Sequence, residues 1–410
     1  INLAISVALR SATVALAPVL AWLYKEPRLT QMTLVLAGTI VFSGLTVQHQ
    51  SLLRRQMRFA ALAIIEITAL FIGVTSAVIA ALTGFGYWSL VFIPVIKEVC
   101  TTIGVWIACG WRPGKPARRT GVRDLISFGA HLTGFNLANY VARSLDKVLI
   151  GRGLGASALG LYNNAYQLVL LPMQQINTPL TSVAVPTLSR LQHDPERYRA
   201  YYRRGVMLTV SVGMPIVAFL FVDAYNAIVT ILGSQWTGAV PIFRVLAPAA
   251  FIGTFNVATG WVYVSLGLTR RQFAWGLFAS TTIILGYFVG MRWGVIGIAA
   301  SLSISLGVLR LPAILYCFRV AHPTLGDLGA ALWRPTLSSL TAGAGLHYLM
   351  PFVPAGPNIL VGLILDFVIY SLLYILIWVG LPGGRDAARV VFDLLLGRTK
   401  VLSNDQRDDG

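Results

Sequence analysis

The sequence predicts an all-α polytopic membrane protein, and three observations carry that reading. Of 410 residues, 56% are hydrophobic and only 11% charged, whereas soluble domains are roughly one-quarter charged. Apolar stretches of span length recur from one end of the chain to the other. The basic residues, 32 Lys and Arg against 15 Asp and Glu, gather between alternate stretches, as they do when loop charge sets membrane topology. This composition excludes an ordinary cytosolic enzyme, a disordered chain and a coiled coil.

About twelve transmembrane helices follow in order: Asn2–Tyr24, Thr30–Val47, Phe59–Leu82, Tyr87–Cys109, Phe128–Ile150, Leu159–Leu188, Arg204–Val222, Ala239–Leu266, Phe273–Gly290, Gly294–Cys317, Ala330–Met350 and Ile359–Val379. Each is near the ~20 residues that cross ~30 Å of hydrocarbon at ~1.5 Å per residue. The sixth is long and carries Pro172, Pro179 and Pro186, which predicts a kink. A surface helix is expected near Ala387–Leu396.

The loops then sort by charge. Arg54, Arg55 and Arg58 follow the second span, Arg112 to Arg123 the fourth, Arg190 to Arg204 the sixth, Arg270 and Arg271 the eighth, and the tail adds Arg385, Arg389, Arg398, Lys400 and Arg407. The opposite loops hold only Lys25, Arg28, Arg152 and Arg292. The basic side is therefore expected to be cytoplasmic, with both ends of this chain inside. Most of the net charge of +17 is topology, and a nucleic-acid partner is not expected because no aromatic platform interleaves with these residues. Cys100, Cys109 and Cys317 show no metal-ligand spacing and read as buried structural thiols. The first residue is Ile1, with no signal peptide ahead of it, so a fragment or a displaced start is expected. No G-x-x-x-x-G-K-[ST] loop occurs and no connection is long enough for a nucleotide-binding domain. Transport energy would then come from an ion gradient, the membrane potential or the substrate gradient, and neither enzymatic activity nor a cofactor is expected.

Charges inside the spans are the candidate functional residues. A centred charge costs about 2.5–3.5 kcal/mol on insertion scales, so it faces a cavity or a partner. The basic ones are Arg10, Lys97, Arg143, Lys147, Arg244 and Arg310, and the acidic ones Glu66, Glu98, Asp146 and Asp366. A structural ion pair or snorkelling near a span end is the competing reading, strongest for Arg244. On the fifth span Asn136, Tyr140, Arg143 and Lys147 share one helix face, with Asn139 and Asp146 flanking it. Arg143 and Asp146, three apart, can pair, which leaves Lys147 uncompensated locally. On the sixth span Asn163, Gln167, Gln174, Thr178 and Thr181 form a polar stripe, open either to helix–helix hydrogen bonding or to a hydrophilic headgroup path.

Three stretches resemble bacterial polysaccharide exporters. Leu53–Phe59 (LRRQMRF) with Gly84–Val91 (GFGYWSLV) resembles their first half, and Asp146–Gly151 (DKVLIG) with Gly155, Leu159–Tyr162 (LGLY), Ala165, Tyr166 and Pro172 the start of their second half. Val185–Asp194 (VPTLSRLQHD) resembles the cytoplasmic end of their eighth helix. The family is the Wzx-like polysaccharide transporter branch of the multidrug/oligosaccharidyl-lipid/polysaccharide exporter superfamily. The resemblance implies two pseudo-symmetric helical bundles around a central cavity, about 14 helices in the complete protein, and a chain here that lacks the first two. It divides the chain into the remainder of an N-terminal bundle (1–110, helices three to six), a basic cytoplasmic linker (111–127), a C-terminal bundle (128–322, helices seven to twelve), two additional helices (323–382) and a cytoplasmic tail (383–410).

The implied function is movement of an undecaprenyl-diphosphate-linked oligosaccharide across the bacterial inner membrane by alternating access, for lipopolysaccharide, capsule or exopolysaccharide synthesis. A diphosphate crosses hydrocarbon only where cations and donors replace water. Arg143, Lys147, Arg10, Lys97 and Arg310 are the candidates for the diphosphate, and Asn136, Asn139, Gln167, Gln174 and Asn177 for the sugars. Asp146, Glu66, Glu98 and Asp366 are candidates for pairing those cations or for binding a coupling proton or sodium ion. Polymerase or export proteins are the expected partners. Two other readings stay open: a cation-coupled small-molecule exporter of the same superfamily, and a membrane enzyme of polysaccharide assembly. The scattered His49, His131, His193, His322 and His347 form no catalytic constellation for the latter.

Overall fold

The computed structural model describes residues 2–56, 58–111, 140, 144–352 and 358–395. The chain divides into two compact units, residues 1–135 and 136–410.

The first unit contains α1 (Asn2–Tyr24), α2 (Arg28–Arg55), α3 (Phe59–Leu82) and α4 (Ser89–Cys109), with α1 on α2, α3 on α4 and α2 on α4. Lipid is as apolar as leucine, so such helices associate through close approach and interhelical hydrogen bonds. Gly73 provides the approach: a Cβ there would lie 3.0 Å from the Ile93 carbonyl oxygen. The hydrogen bonds join α2 to α4. The Thr46 and Thr102 hydroxyls meet at 2.8 Å, and the buried His49 ring stacks on Trp106 with centroids 4.4 Å apart.

The second unit begins with helical residues 144–153 and continues through α5 (Ala156–Arg190), α6 (Pro195–Val222), α7 (Ala224–Leu232), α8 (Ala239–Gly253), α9 (Asn256–Ser265), α10 (Thr269–Gly290), α11 (Gly294–Phe318), α12 (Leu325–Leu349), α13 (Ile359–Gly380) and α14 (Gly384–Leu395). At 35 residues α5 runs about 52 Å, well past the hydrocarbon thickness. Its start is set by Gly155, whose φ of 91° excludes most side chains. The start of α6 is set by Asp194, whose carboxylate accepts from the Arg197 backbone N–H at 3.1 Å, followed by Pro195 at the first helical position. Thr324 and Asp327 form a reciprocal capping box at the start of α12.

Three buried clusters hold this unit together. One joins α5, α8 and α11 through Tyr162, Val169, Phe243 and Ile298. The second joins α5, α6 and α9 through Leu188, Tyr202 and Trp261. The third joins α6, α12, α13 and α14 through Phe219, Leu346, Tyr370, Trp378 and Val391.

Eight stretches among the described residues are long and apolar enough to cross a membrane, one of them the Thr269–Phe318 hairpin that folds as α10 and α11. The predicted segments Leu159–Leu188 and Ala330–Met350 are the helices α5 and α12, too polar to be counted among those eight. Large apolar side chains such as Ile67, Phe71, Leu372 and Leu376 stay exposed, as lipid-facing residues do. The chain is a multi-pass helical membrane protein.

Two expectations need correction. The segment predicted as one helix over Ala239–Leu266 is two helices, broken at Thr254 and Phe255. Hydropathy averages over such a break because the flanking turns stay apolar. Cys317 is buried, but Cys100 and Cys109 are only half-buried. Most of Phe128–Ile150 lies outside the described residues.

Candidate functional site

The break between α8 and α9 opens onto a cavity of about 590 Å³ within the second unit. One wall is a face of α5 bearing Tyr166, Met173, Gln174, Asn177, Thr178 and Thr181. Opposite it stand Ala249, Gly253, Asn256 and Val257 around the break, and Leu302, Leu306 and Arg310 of α11. A broken helix leaves main-chain groups free of helical partners, which membrane proteins tolerate where they border a cavity.

Arg310 dominates the electrostatics of this space. It is 9% exposed, and no carboxylate pairs with it among the described residues. Its Nη1 donates to the Asn256 side-chain oxygen, its guanidinium carbon lies 5.7 Å from the Phe255 ring centroid, and its Nε is buried without an acceptor. Across the cavity the side-chain oxygen of Asn177 is buried without a donor. Buried native polar groups are normally satisfied, so unspent groups at one cavity signal a function that uses them. Together the lining offers a cation with a free guanidinium donor, three amides and three hydroxyls. That set suits an anionic group joined to a polyhydroxylated one.

Lys147 stands next to this space. It is half-buried on segment 144–153, with Nζ 5.7 Å from the ring centroid of the cavity residue Tyr166. Its neighbour Asp146 is 1% exposed and committed elsewhere, accepting from the Tyr162 hydroxyl and from the Lys147 backbone N–H, both at 2.8 Å. The expected partner Arg143, with Asn136 and Asn139, lies outside the described residues.

The other predicted site residues spread more widely. Gln174 and Asn177 line the cavity, whereas Gln167 is exposed and does not. Thr181 accepts from Trp261 Nε1 at 2.9 Å, so that end of the stripe includes an interhelical hydrogen bond. Arg10, Lys97 and Glu66 are exposed on the first unit and Glu98 is half-buried there. Asp366 is buried on α13 beside Asp223 and lines no part of the cavity. Among the described residues no group of His, Cys, Asp and Glu is placed to hold a metal ion.

Sequence reasoning missed Asn256 and Phe255. The run Gly253-Thr254-Phe255-Asn256, small and polar residues inside an apolar stretch, is the local signal of a broken span.

A family model described as polysaccharide biosynthesis protein matches residues 1–241. The chain is 28% identical over 260 residues to the teichuronic acid biosynthesis protein TuaB of Bacillus subtilis, covering 63% of this chain and 54% of TuaB. It is 24% identical over 321 residues to the lipopolysaccharide biosynthesis protein WzxC of Escherichia coli, covering 75% of this chain and 63% of WzxC. The succinoglycan biosynthesis transport protein ExoT of Rhizobium meliloti is 29% identical over 197 residues, covering 48% of this chain and 40% of ExoT. The chain thus spans between about two-fifths and two-thirds of these relatives. Among solved structures, the lipid II flippase MurJ in an inward closed conformation superposes with a TM-score of 0.70 over 96% of this chain and 82% of that one, at 14% identity. The shared feature is the fold.

Proposed function

Because the chain belongs to the polysaccharide biosynthesis protein family, we propose that it moves a lipid-linked oligosaccharide from one leaflet to the other during assembly of an envelope or extracellular polysaccharide. The observation that carries this reading is Arg310, a buried cation with no carboxylate partner among the described residues, facing a cavity with unspent donors and acceptors. A diphosphate carries the complementary charge, and the amides and hydroxyls of α5 match the sugars beside it. The roles of TuaB, WzxC and ExoT in polysaccharide synthesis, and of MurJ as a lipid II flippase, support the same reading. The carrier we assign is undecaprenyl diphosphate, whose isoprenoid tail can stay in the bilayer while the polar part crosses.

In this reading the protein lies in the bacterial inner membrane with its basic loops cytoplasmic, acts without catalysing a covalent step, and works beside polymerase or export proteins. Lys147 and Arg310 contact the diphosphate in the second unit, and Gln174, Asn177 and Asn256 the sugars. Arg143, Arg10 and Lys97 are proposed to extend the cationic path, with Asn136, Asn139 and Gln167 extending the sugar path. Glu66, Glu98 and Asp366 are the proposed groups for pairing or for a coupling proton or sodium ion.

Deleting the gene tests the reading. Undecaprenyl-diphosphate-linked repeat units should accumulate and surface polysaccharide should be lost, with both restored by the wild-type gene and not by R310A at equal protein level. Unchanged polysaccharide on deletion, or full rescue by R310A, would overturn it.

A further inference from the structure

A second pocket, of about 540 Å³, lies where α13 ends and α14 folds back beside it, with α6 completing the wall. It shares no lining residue with the Arg310 cavity. Its shape follows from how α14 is seated. Arg334 Nε donates to the Pro382 carbonyl at 3.0 Å and pins the turn. Gly384 packs so closely on the Trp378 carbonyl that any side chain there would collide. Ala387 and Val391 are buried, while Arg385, Arg389 and Phe392 are exposed on residues that line the pocket.

The polar groups of the pocket divide in two. The Tyr374 hydroxyl is spent on the Ser211 carbonyl at 2.9 Å, and the Ser211 hydroxyl on the Met207 carbonyl. Three donors are unspent among the described residues. Arg385 and Arg389, one helical turn apart, make no ion pair, and the indole N–H of Trp378 is buried without an acceptor. Asp386 is exposed and does not line the pocket. An amphipathic helix that follows directly on a membrane span lies at the membrane–water boundary. The exposed Leu372, Ile375 and Leu376 continue from the pocket along the apolar face of α13. Two cations and a buried donor at that boundary, above an open apolar track, match a phosphate head on acyl tails.

We propose that this pocket binds the headgroup of an anionic glycerophospholipid, its phosphate held by Arg385 and Arg389 and its acyl chains lying along α13. The site is separate from glycan transport, so its test does not depend on that reading.

The experiment is native mass spectrometry of the purified full chain, titrated in detergent with phosphatidylglycerol, phosphatidylcholine or inorganic phosphate. The wild type should retain one phosphatidylglycerol, bound more tightly than phosphatidylcholine. R385Q/R389Q should weaken that binding roughly ten- to thirty-fold, as expected for two interfacial cations. R385K/R389K should keep most of it, and millimolar phosphate should not displace the lipid. Equal affinity in the glutamine variant, or equal binding of phosphatidylcholine, would overturn the proposal. Displacement by phosphate alone would also overturn it, leaving a simple anion site. Should the glutamine variant fail to fold, salt decides: in the wild type, phosphatidylglycerol retention should drop between about 50 and 500 mM salt as the charges are screened. Salt-independent retention would sink the idea.

Discussion

The Tyr162 hydroxyl on α5 donates a 2.8 Å hydrogen bond to the Asp146 carboxylate, which also accepts from the Lys147 backbone N–H. This places the intramembrane acid in a structural contact between segment 144–153 and α5, one residue away from the cation that stands over Tyr166. Removing the hydroxyl in Y162F should lower the thermal unfolding midpoint by the equivalent of about 0.6–2 kcal/mol, the usual range for a polar contact between membrane helices. D146N in the Y162F background should cost little more, since the two changes remove one interaction. Additive losses in the double-mutant cycle would show that the two residues act separately.

Arg310 and Asn256 should separate charge from hydrogen bonding in transport. R310A should abolish export without loss of protein from the membrane, since no carboxylate among the described residues pairs with it to be left exposed. R310K should keep a fraction of activity, because a point charge persists while the planar fork is lost. N256A frees one guanidinium donor and should lower export several-fold only. Surface polysaccharide and membrane protein level, scored separately, check all three variants.

Acid should release the contact between α6 and α12. Arg199 Nε donates to Asp327 at 2.7 Å. Burial by itself would push the Asp327 carboxyl up, but the hydrogen bonds from Arg199 and Thr324 outweigh it and hold the group below its ordinary range. A carboxyl depressed on folding stabilises fully above its unfolded pKa near 4, and loses that contribution as pH falls through the lower folded value. D327N should therefore melt earlier than wild type at pH 7, with the gap closing below about pH 4. A gap that persists in acid would contradict this linkage.

Asp223, just past the end of α6, should show the opposite sign. Burial, and then the neighbouring Asp366 carboxyl, push it up to about 7, and its Oδ2 is buried without a partner. A group whose carboxyl is raised on folding favours the folded state at low pH and withdraws that support as pH climbs from its unfolded value near 4 towards 7. The wild-type melting midpoint should fall between about pH 4 and 7, and D223N should flatten that slope. Thermal melts of both proteins across this range provide the check.

Topology is testable without transport. Single cysteines at positions 54 and 203, in a background lacking Cys100, Cys109 and Cys317, should resist an impermeant thiol reagent in intact cells and react after permeabilisation. Ready labelling from outside would reverse the assigned orientation, which rests on the charge of the loops.

The apolar spans and the basic loops are legible in the sequence because each depends on residues within one or two turns of one another. The α5 stripe was visible for the same reason: Gln174 and Thr178 repeat at helical spacing. Which of its members meet a cavity was not, since a helix has more than one polar flank and only its neighbours decide which is covered. Tertiary packing set Gln174 and Asn177 against the cavity, left Gln167 off it and used Thr181 to hold Trp261. It brought Arg310 within reach of Asn256, 54 residues away, by breaking a span that hydropathy reads as continuous. It also gave Asp146 a tyrosine sixteen positions on as its partner. Local periodicity fixes which side chains share a face, but the rotation of each helix about its axis is set by packing against residues far away in the chain. The cavity and the pocket under α14 exist only once that rotation is chosen.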